Sequence, residues 1–193
     1  MSFIIELIDY ASILSSIKQL AKLSNMERKR FKTAPCSIAR SLDVLGDWWN
    51  PLILRECLYG NTRFDELQRW LDISRNILTR RLVDLVEAGL LDKVAYQTKP
   101  ARHEYRLTDK GHDACLVLMA VMPFGERWFF AQGNHPIELR DRETGKRVVP
   151  RVVDAETGKP LDTRSLIPCP GPGFEAPEHI IRERFAEFFD EFG

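Results

Sequence analysis

Ser74-Arg75-Asn76-Ile77-Leu78-Thr79-Arg80-Arg81-Leu82-Val83-Asp84-Leu85-Val86-Glu87-Ala88-Gly89 is the stretch on which the fold turns. Ser74 suits an N-cap, because its hydroxyl can accept from a backbone N–H that the first helical turn leaves without a partner. Gly89 suits the stop, since glycine tolerates the left-handed conformation that ends many helices. Between them Leu78, Leu82 and Leu85 recur at spacings of four and three and share one face, which must be buried. Asn76, Thr79, Arg80 and Val83 fall on the opposite side, with Arg75 exposed in the first turn. Those residue types suit the edges of bases in a major groove: Arg pairs with guanine, Asn with adenine, and the Thr methyl or Val touches the thymine methyl. An ordinary solvated face has the same composition, and composition alone does not separate the two.

Working outward, the preceding segment reads as helices. Ile38, Ala39, Leu42 and Leu45 make a short helix stopped by Gly46, and Trp48 or Trp49 with Leu52, Ile53, Arg55 and Leu58 make another. Pro51 lies in the first turn of that helix, where its missing N–H costs nothing, and Gly60 ends it. Trp48 and Trp49 are expected to anchor the core. Thr62, three residues before Asp65, has the order of a capping box for a helix burying Phe64 and Leu67 and ending near Leu71. After Gly89 the pattern changes: Leu91, Val94 and Tyr96 lead into a turn at Thr98-Lys99-Pro100-Ala101-Arg102, and Tyr105 and Leu107 alternate with polar residues on the way out, which predicts a β-hairpin. A long helix follows from about Thr108 to Ala131, with Pro123 expected to kink it.

The order helix, helix, helix, short turn, helix, two-stranded hairpin, helix predicts a mainly α protein with a small β-hairpin wing, a winged helix-turn-helix. In that arrangement one helix braces the next, the second enters the groove and the wing reaches neighbouring phosphates. Arg63, Lys99, Arg102 and His103 are the phosphate candidates, and Ser74 and Arg81 complete the expected DNA-binding set with Arg75, Asn76, Thr79 and Arg80.

The 193 residues contain 28 Lys plus Arg and 28 Asp plus Glu, so a polyanion must be held by a local patch rather than by the field of the whole chain. Four widely spaced cysteines, with no C-x-x-C pair, point away from zinc ribbons and disulfide frameworks and toward a reducing compartment. No metal or cofactor is expected; His112 and Cys115, at helical spacing, are too few to hold a metal. No nucleotide-binding, zincin or serine-hydrolase motif occurs, so an enzyme is not expected. Ile4, Leu7, Ile8, Ala11, Leu14 and Ile17 predict an amphipathic helix from Phe3 to Leu23, interrupted by charges and so neither a signal peptide nor a membrane span. Cytoplasmic residence is the default.

Three regions are therefore expected: 1–30, an N-terminal helix and linker; 31–132, the winged helix-turn-helix; and 133–193, an extension. The basic run Arg28, Lys29, Arg30 and Lys32 reads as a solvated linker or as a phosphate-contacting arm. The extension carries a weak repeat, Glu143-Thr144-Gly145-Lys146 and Glu156-Thr157-Gly158-Lys159, predicting two hairpin turns or a small sheet, then a Pro/Gly-rich loop over 168–177. A final acidic helix is expected to gather Ile181, Phe185, Phe188 and Phe189 on one face.

A family resemblance rests on Cys36-Ser37-Ile38-Ala39-Arg40, Gly46-Asp47-Trp48, Leu52-Ile53-Leu54-Arg55-Glu56, Arg63-Phe64-Asp65-Glu66-Leu67, Ile73-Ser74, Leu78, Arg81-Leu82, Leu85, Gly89-Leu90 and Glu104-Tyr105-Arg106-Leu107-Thr108. In these ordered matches the chain resembles the HxlR-type bacterial transcription regulators, over roughly half its length. The resemblance implies a homodimeric winged-helix binder of double-stranded DNA, dimerising through helices that flank the DNA-binding core. It also implies, for some members, sensing of small electrophiles through a cysteine placed like Cys36. Ser37 stands where the family commonly has proline, and Asp47 where it has lysine. Cys36 precedes a helix whose dipole and free N–H groups favour a thiolate, with Arg40 one turn on, yet a free cysteine is also often a plain structural residue.

Two functions stay open on the sequence. One is a sequence-specific regulator, acting as a repressor on a palindrome with half-sites about one DNA turn, roughly 34 Å, apart. The other is a winged-helix protein-interaction or electrophile-sensing module with weak or no DNA binding, which zero net charge and the acidic C-terminus favour.

Overall fold

The computed structural model describes residues 31–192. The helix expected over Phe3–Leu23, and all of the basic run but Lys32, lie outside them. Helix α1 spans Ser37–Leu45 and stops at Gly46, whose N–H donates to the Leu42 carbonyl at 2.8 Å. Helix α2 spans Trp49–Leu58, with Pro51 in its first turn, and is followed by Gly60 at φ +96°. Trp49 is half-buried against the core, but Trp48 is 78% exposed. The pair therefore does not act as one anchor: the helix begins between them, and only Trp49 turns inward.

Helix α3 spans Phe64–Leu71. It starts one residue later than expected, with Arg63 rather than Thr62 at the cap, and the Glu66 side chain accepts from the Arg63 N–H at 3.0 Å. The longer Glu66 reaches back where Asp65 would fall short. Thr62 serves another element, its carbonyl accepting from the Tyr105 N–H at 2.7 Å. Asp72, in the left-handed region at φ 48°, then turns the chain into helix α4, Arg75–Glu87. Ser74 caps it as expected, accepting from Ile77 N–H at 3.4 Å, and Gly89 at φ +70° follows its end.

Strands β1 (Leu91–Thr98) and β2 (Ala101–Leu107) pair antiparallel from Leu91↔Leu107 to Thr98↔Ala101, with an irregularity between Ala95 and Gln97. The turn is only Lys99-Pro100, shorter than the sequence suggests, so Arg102 lies in the strand opposite Gln97. Helix α5 spans Asp109–Phe129 and runs through Pro123. Its N-cap, Thr108, accepts from Gly111 N–H at 3.0 Å and donates to the Gly89 carbonyl at 2.8 Å, tying the end of α4 to the start of α5. A Cβ at Gly111 would collide with the Leu90 carbonyl, so that close approach requires glycine.

In the core Ile53 and Leu54 of α2, Leu67 of α3, Leu78, Leu82 and Leu85 of α4, and Leu91 of β1 are all fully buried, and Ala114 and Cys115 of α5 join them. Two buried polar side chains lie beside it, and of these the Asn50 Oδ1 has no hydrogen-bond partner among the described residues. Asn50 donates to the Val44 carbonyl at 2.6 Å, and Glu56 takes Arg55 and Asn61 at 2.6 and 2.7 Å.

Beyond α5, β3 (Leu139–Arg140) pairs with β4 (Arg147–Val148), and a second turn is closed by a bridge between Val153 and Pro160. The two Thr-Gly turns share one construction: Asp141 accepts from Thr144 N–H at 2.8 Å, and Asp154 from Thr157 N–H at 2.7 Å. The Thr144 and Thr157 side-chain hydrogen bonds, with these backbone bonds second, hold the two carboxyls below the usual carboxylate range. The terminal helix is two, not one: α6 (Glu178–Arg184) and α7 (Ala186–Phe192) are separated at Phe185. Phe185 leaves helical geometry at φ −119°, ψ 32° and is buried edge-on against Phe174, ring centroids 5.1 Å apart. Among the described residues no helix is long and apolar enough to cross a membrane.

Candidate nucleic-acid interface

With Leu78, Leu82 and Leu85 sealed in the core, the other side of α4 has nowhere to go but outward, and Arg75, Asn76, Thr79, Arg80 and Val83 are all exposed. Asn76 and Arg80 have no hydrogen bond or ion pair among the described residues, so the amide and guanidinium donors face solvent unspent. Thr79 differs: its hydroxyl donates to the Arg75 carbonyl at 2.8 Å, which leaves its methyl as the group it presents. The Arg75 guanidinium lies 5.0 Å from the Phe64 ring centroid, bridging the first turn of α4 to the start of the bracing helix α3.

Arg63, the N-cap of α3, is held the same way, with its guanidinium 4.6 Å from the centroid of Tyr96 in the wing and its backbone bridged to Glu104. Stacking fixes the planar group while leaving its N–H edges to donate. Lys99 and Arg102 are exposed at the wing's end, whereas His103 is half-buried opposite Ala95. Arg75 and Arg80 thus lie on α4, Arg63 bridges the brace to the wing, and Lys99 and Arg102 stand at the wing's end.

Arg81 needs correction. Its guanidinium bonds Asp47 at 2.7 Å and Asp84 at 3.3 Å, its side chain is only 21% exposed, and it braces α4 against the α1–α2 turn instead of joining the outward face. Asp47 also accepts from the Trp49 N–H at 3.1 Å. Asp47 therefore has a structural partner in Arg81, which the sequence did not disclose because the two residues are far apart in the chain.

Cys36 lies exposed at the N-terminus of α1, and the Arg40 side chain is directed to the Ala34 carbonyl at 2.6 Å. The thiols of Cys57 and Cys115 are buried instead. Burial, aided by neighbouring Cys115 and Glu56, pushes Cys57 up to about 12, and burial raises Cys115, so both stay protonated at neutral pH. His112 is exposed while Cys115 is buried with its sulfur 3.9 Å from the Leu54 carbonyl, so the two do not face a common site.

A second surface is apolar, and its place on the long helix after Thr108 agrees with an apolar face larger than one small domain needs. Val117, Val121, Phe124 and Trp128 form one stripe on α5, each at least half exposed, and Ile38 and Leu42 of α1 are likewise uncovered. The helical spacing was legible, but which half of each helix met the core was not.

A buried leucine face, a polar face turned out, a brace and a basic hairpin define a winged helix-turn-helix protein. Residues 44–132 match the model of the HxlR-like helix-turn-helix family, and the chain belongs to that family of transcription regulators. It is 41% identical over 140 residues to the uncharacterized HTH-type transcriptional regulator Rv3095 of Mycobacterium tuberculosis, covering 72% of this chain and 89% of that one. It is also similar to two solved structures of transcription-factor candidates. PA1607 superposes with a TM-score of 0.63 at 39% identity, covering 70% of this chain and 95% of the other. PA1374 from Pseudomonas aeruginosa gives 0.52 at 42% identity, covering 77% and 99%.

Proposed function

We propose that the chain is a repressor that binds a palindromic DNA operator as a homodimer in the cytoplasm, with residues 31–132 as the DNA-binding region. The observation that carries this reading is the outward face of α4, where Asn76 and Arg80 keep their donors free on a helix locked from behind by three buried leucines. Asn76, Arg80 and the Thr79 methyl read bases; Arg75 and Ser74 sit at the helix entry; Arg63, Lys99, Arg102 and, less exposed, His103 hold phosphates. The apolar stripe on α5 supports a two-fold partner, since four large side chains in a row at a surface are costly in water. Selection of bound fragments from random duplex DNA tests the reading. A two-fold symmetric consensus is expected, and enrichment of no sequence would overturn it.

Exposed Cys36 supports a second element, a response to small electrophiles. Modification there would change charge and bulk at the start of α1. Diamide or a quinone should shift affinity for the selected operator in the wild type and not in Cys36→Ser; equal responses would remove Cys36 from the account.

A further inference from the structure

Between α2 and α5, closed at one end by the segment that follows α5, lies a cavity of about 300 Å³. Its wall is almost wholly apolar, built by Leu52, Tyr59, Leu118, Met122, Phe130 and Ile137. That volume is at the lower end of small-molecule sites, which run from ~300 to 1,000 Å³, and suits a compound of one or two fused rings. Methionines in the wall adapt to ligands of differing outline.

One polar group in the wall has spare capacity. Arg55 donates from Nε and Nη2 to the same oxygen of Glu56, at 3.1 and 2.6 Å, while its Nη1 has no hydrogen bond among the described residues. Glu56 is buried and its other oxygen is taken by Asn61 at 2.7 Å, so the Arg55 charge is already matched. Glu126, also in the wall, adds a negative charge. A carboxylate ligand would meet that repulsion with no spare cation, whereas a neutral molecule with a carbonyl or similar acceptor could take the free Nη1 donors.

From this wall we infer that the cavity is a regulatory site for a neutral, largely aromatic ligand bearing one hydrogen-bond acceptor. The site can act on DNA binding because α2 is shared: Ile53 and Leu54 pack in the core that seats α4, and the Leu54 carbonyl meets Cys115 of α5. A ligand that spreads α2 from α5 changes the placement of the helix proposed to read DNA relative to the helix proposed to dimerise. Binding itself is independent of the function proposed above; its regulatory effect rests on that reading.

The test uses the full chain and prodan, a neutral naphthalene ketone whose emission moves to shorter wavelength in apolar surroundings. Saturable binding of one prodan per chain is expected, with operator affinity altered about fivefold or more at saturation, in either direction. Gly125 lines the cavity, and a Cβ there meets nothing within 4 Å, so Gly125→Phe should fill the space from a helix that remains intact. That variant should lose prodan affinity by roughly tenfold or more and keep its operator affinity. Should it melt early, Met122→Trp, one turn earlier on the same helix and also in the wall, replaces it. No saturable binding to wild type, binding unchanged in the filled variant, or a saturated site without effect on the operator would each overturn the inference. Operator binding without prodan binding sinks the cavity site alone, while prodan binding with no DNA sequence enriched sinks the regulator reading and leaves a ligand site.

Discussion

Helices α4 and α5 solve the same problem with opposite outsides. Each buries one stripe in the common core, Leu78, Leu82 and Leu85 on one and Ala114 and Cys115 on the other. On α4 the remaining surface is Asn76, Thr79, Arg80 and Val83; on α5 it is Val117, Val121, Phe124 and Trp128. A polar face with free donors suits a hydrated polyanion, where hydrogen bonds decide which partner fits. An apolar face suits a surface that excludes water and lacks charge, such as its own copy. The difference teaches that the inside of a helix fixes its place in the fold, while the outside specifies its partner.

The largest effect should come from putting the wrong chemistry on the apolar side. Phe124 is 57% exposed, so Phe124→Glu should leave thermal stability nearly unchanged, yet charge the proposed dimer face. Sedimentation should then show a 22.3 kDa species, and operator affinity should fall by about 100-fold as the two half-sites lose their linkage. A dimer that survives the substitution would place the interface elsewhere.

Within α4 alone the contrast can be sharpened on adjacent residues. Leu82→Ala should cost about 2–5 kcal/mol in urea unfolding, the loss of a fully buried leucine plus the cavity it leaves. Val83→Ala, half exposed, should stay within about 0.5 kcal/mol. Similar costs would show that the helix is rotated from the position described.

Arg80 and Arg81 form the next pair, neighbours in sequence with different employment. Arg81→Met removes the ion pairs to Asp47 and Asp84 that brace α4 and should cost about 1–3 kcal/mol of stability. Arg80→Ala should leave stability alone and cost about 1–3 kcal/mol at a preferred base, flattening the consensus there. Exchanged phenotypes would reverse the assignment.

That pair also shows where sequence reasoning stops. Leu78, Leu82 and Leu85, the Ser74 cap and Gly89 were legible because each works within a few residues of chain, and period and capping chemistry are local. The hairpin was legible for the same reason. Arg81 was not, since its identity as a brace depends on Asp47, brought near only by folding. Trp48 and Trp49 are equally apolar, and only the start of α2 decides which turns inward. Phe185 sits in an unbroken helical pattern, and its edge-on burial against Phe174, from outside the helix, accompanies the break there. Long-range packing chose among options that local pattern left equivalent.

The wing carries the smallest effect and the one that best separates positioning from reading. Lys99 is exposed in the two-residue turn, and its carbonyl, not its ammonium, is the group held, accepting from Gln97 at 3.0 Å. A mobile ammonium at that place can approach a phosphate but cannot match a base edge. Lys99→Ala should therefore weaken binding to the selected operator and to unrelated duplex by the same factor. It should also flatten the slope of log affinity against log salt by about 0.9, one released counterion. Arg80→Ala at the same salt concentrations should lose affinity for the operator and little for unrelated DNA. If Lys99→Ala changes the preferred sequence, the wing reads bases, and the division between the groove helix and its flanking cations fails.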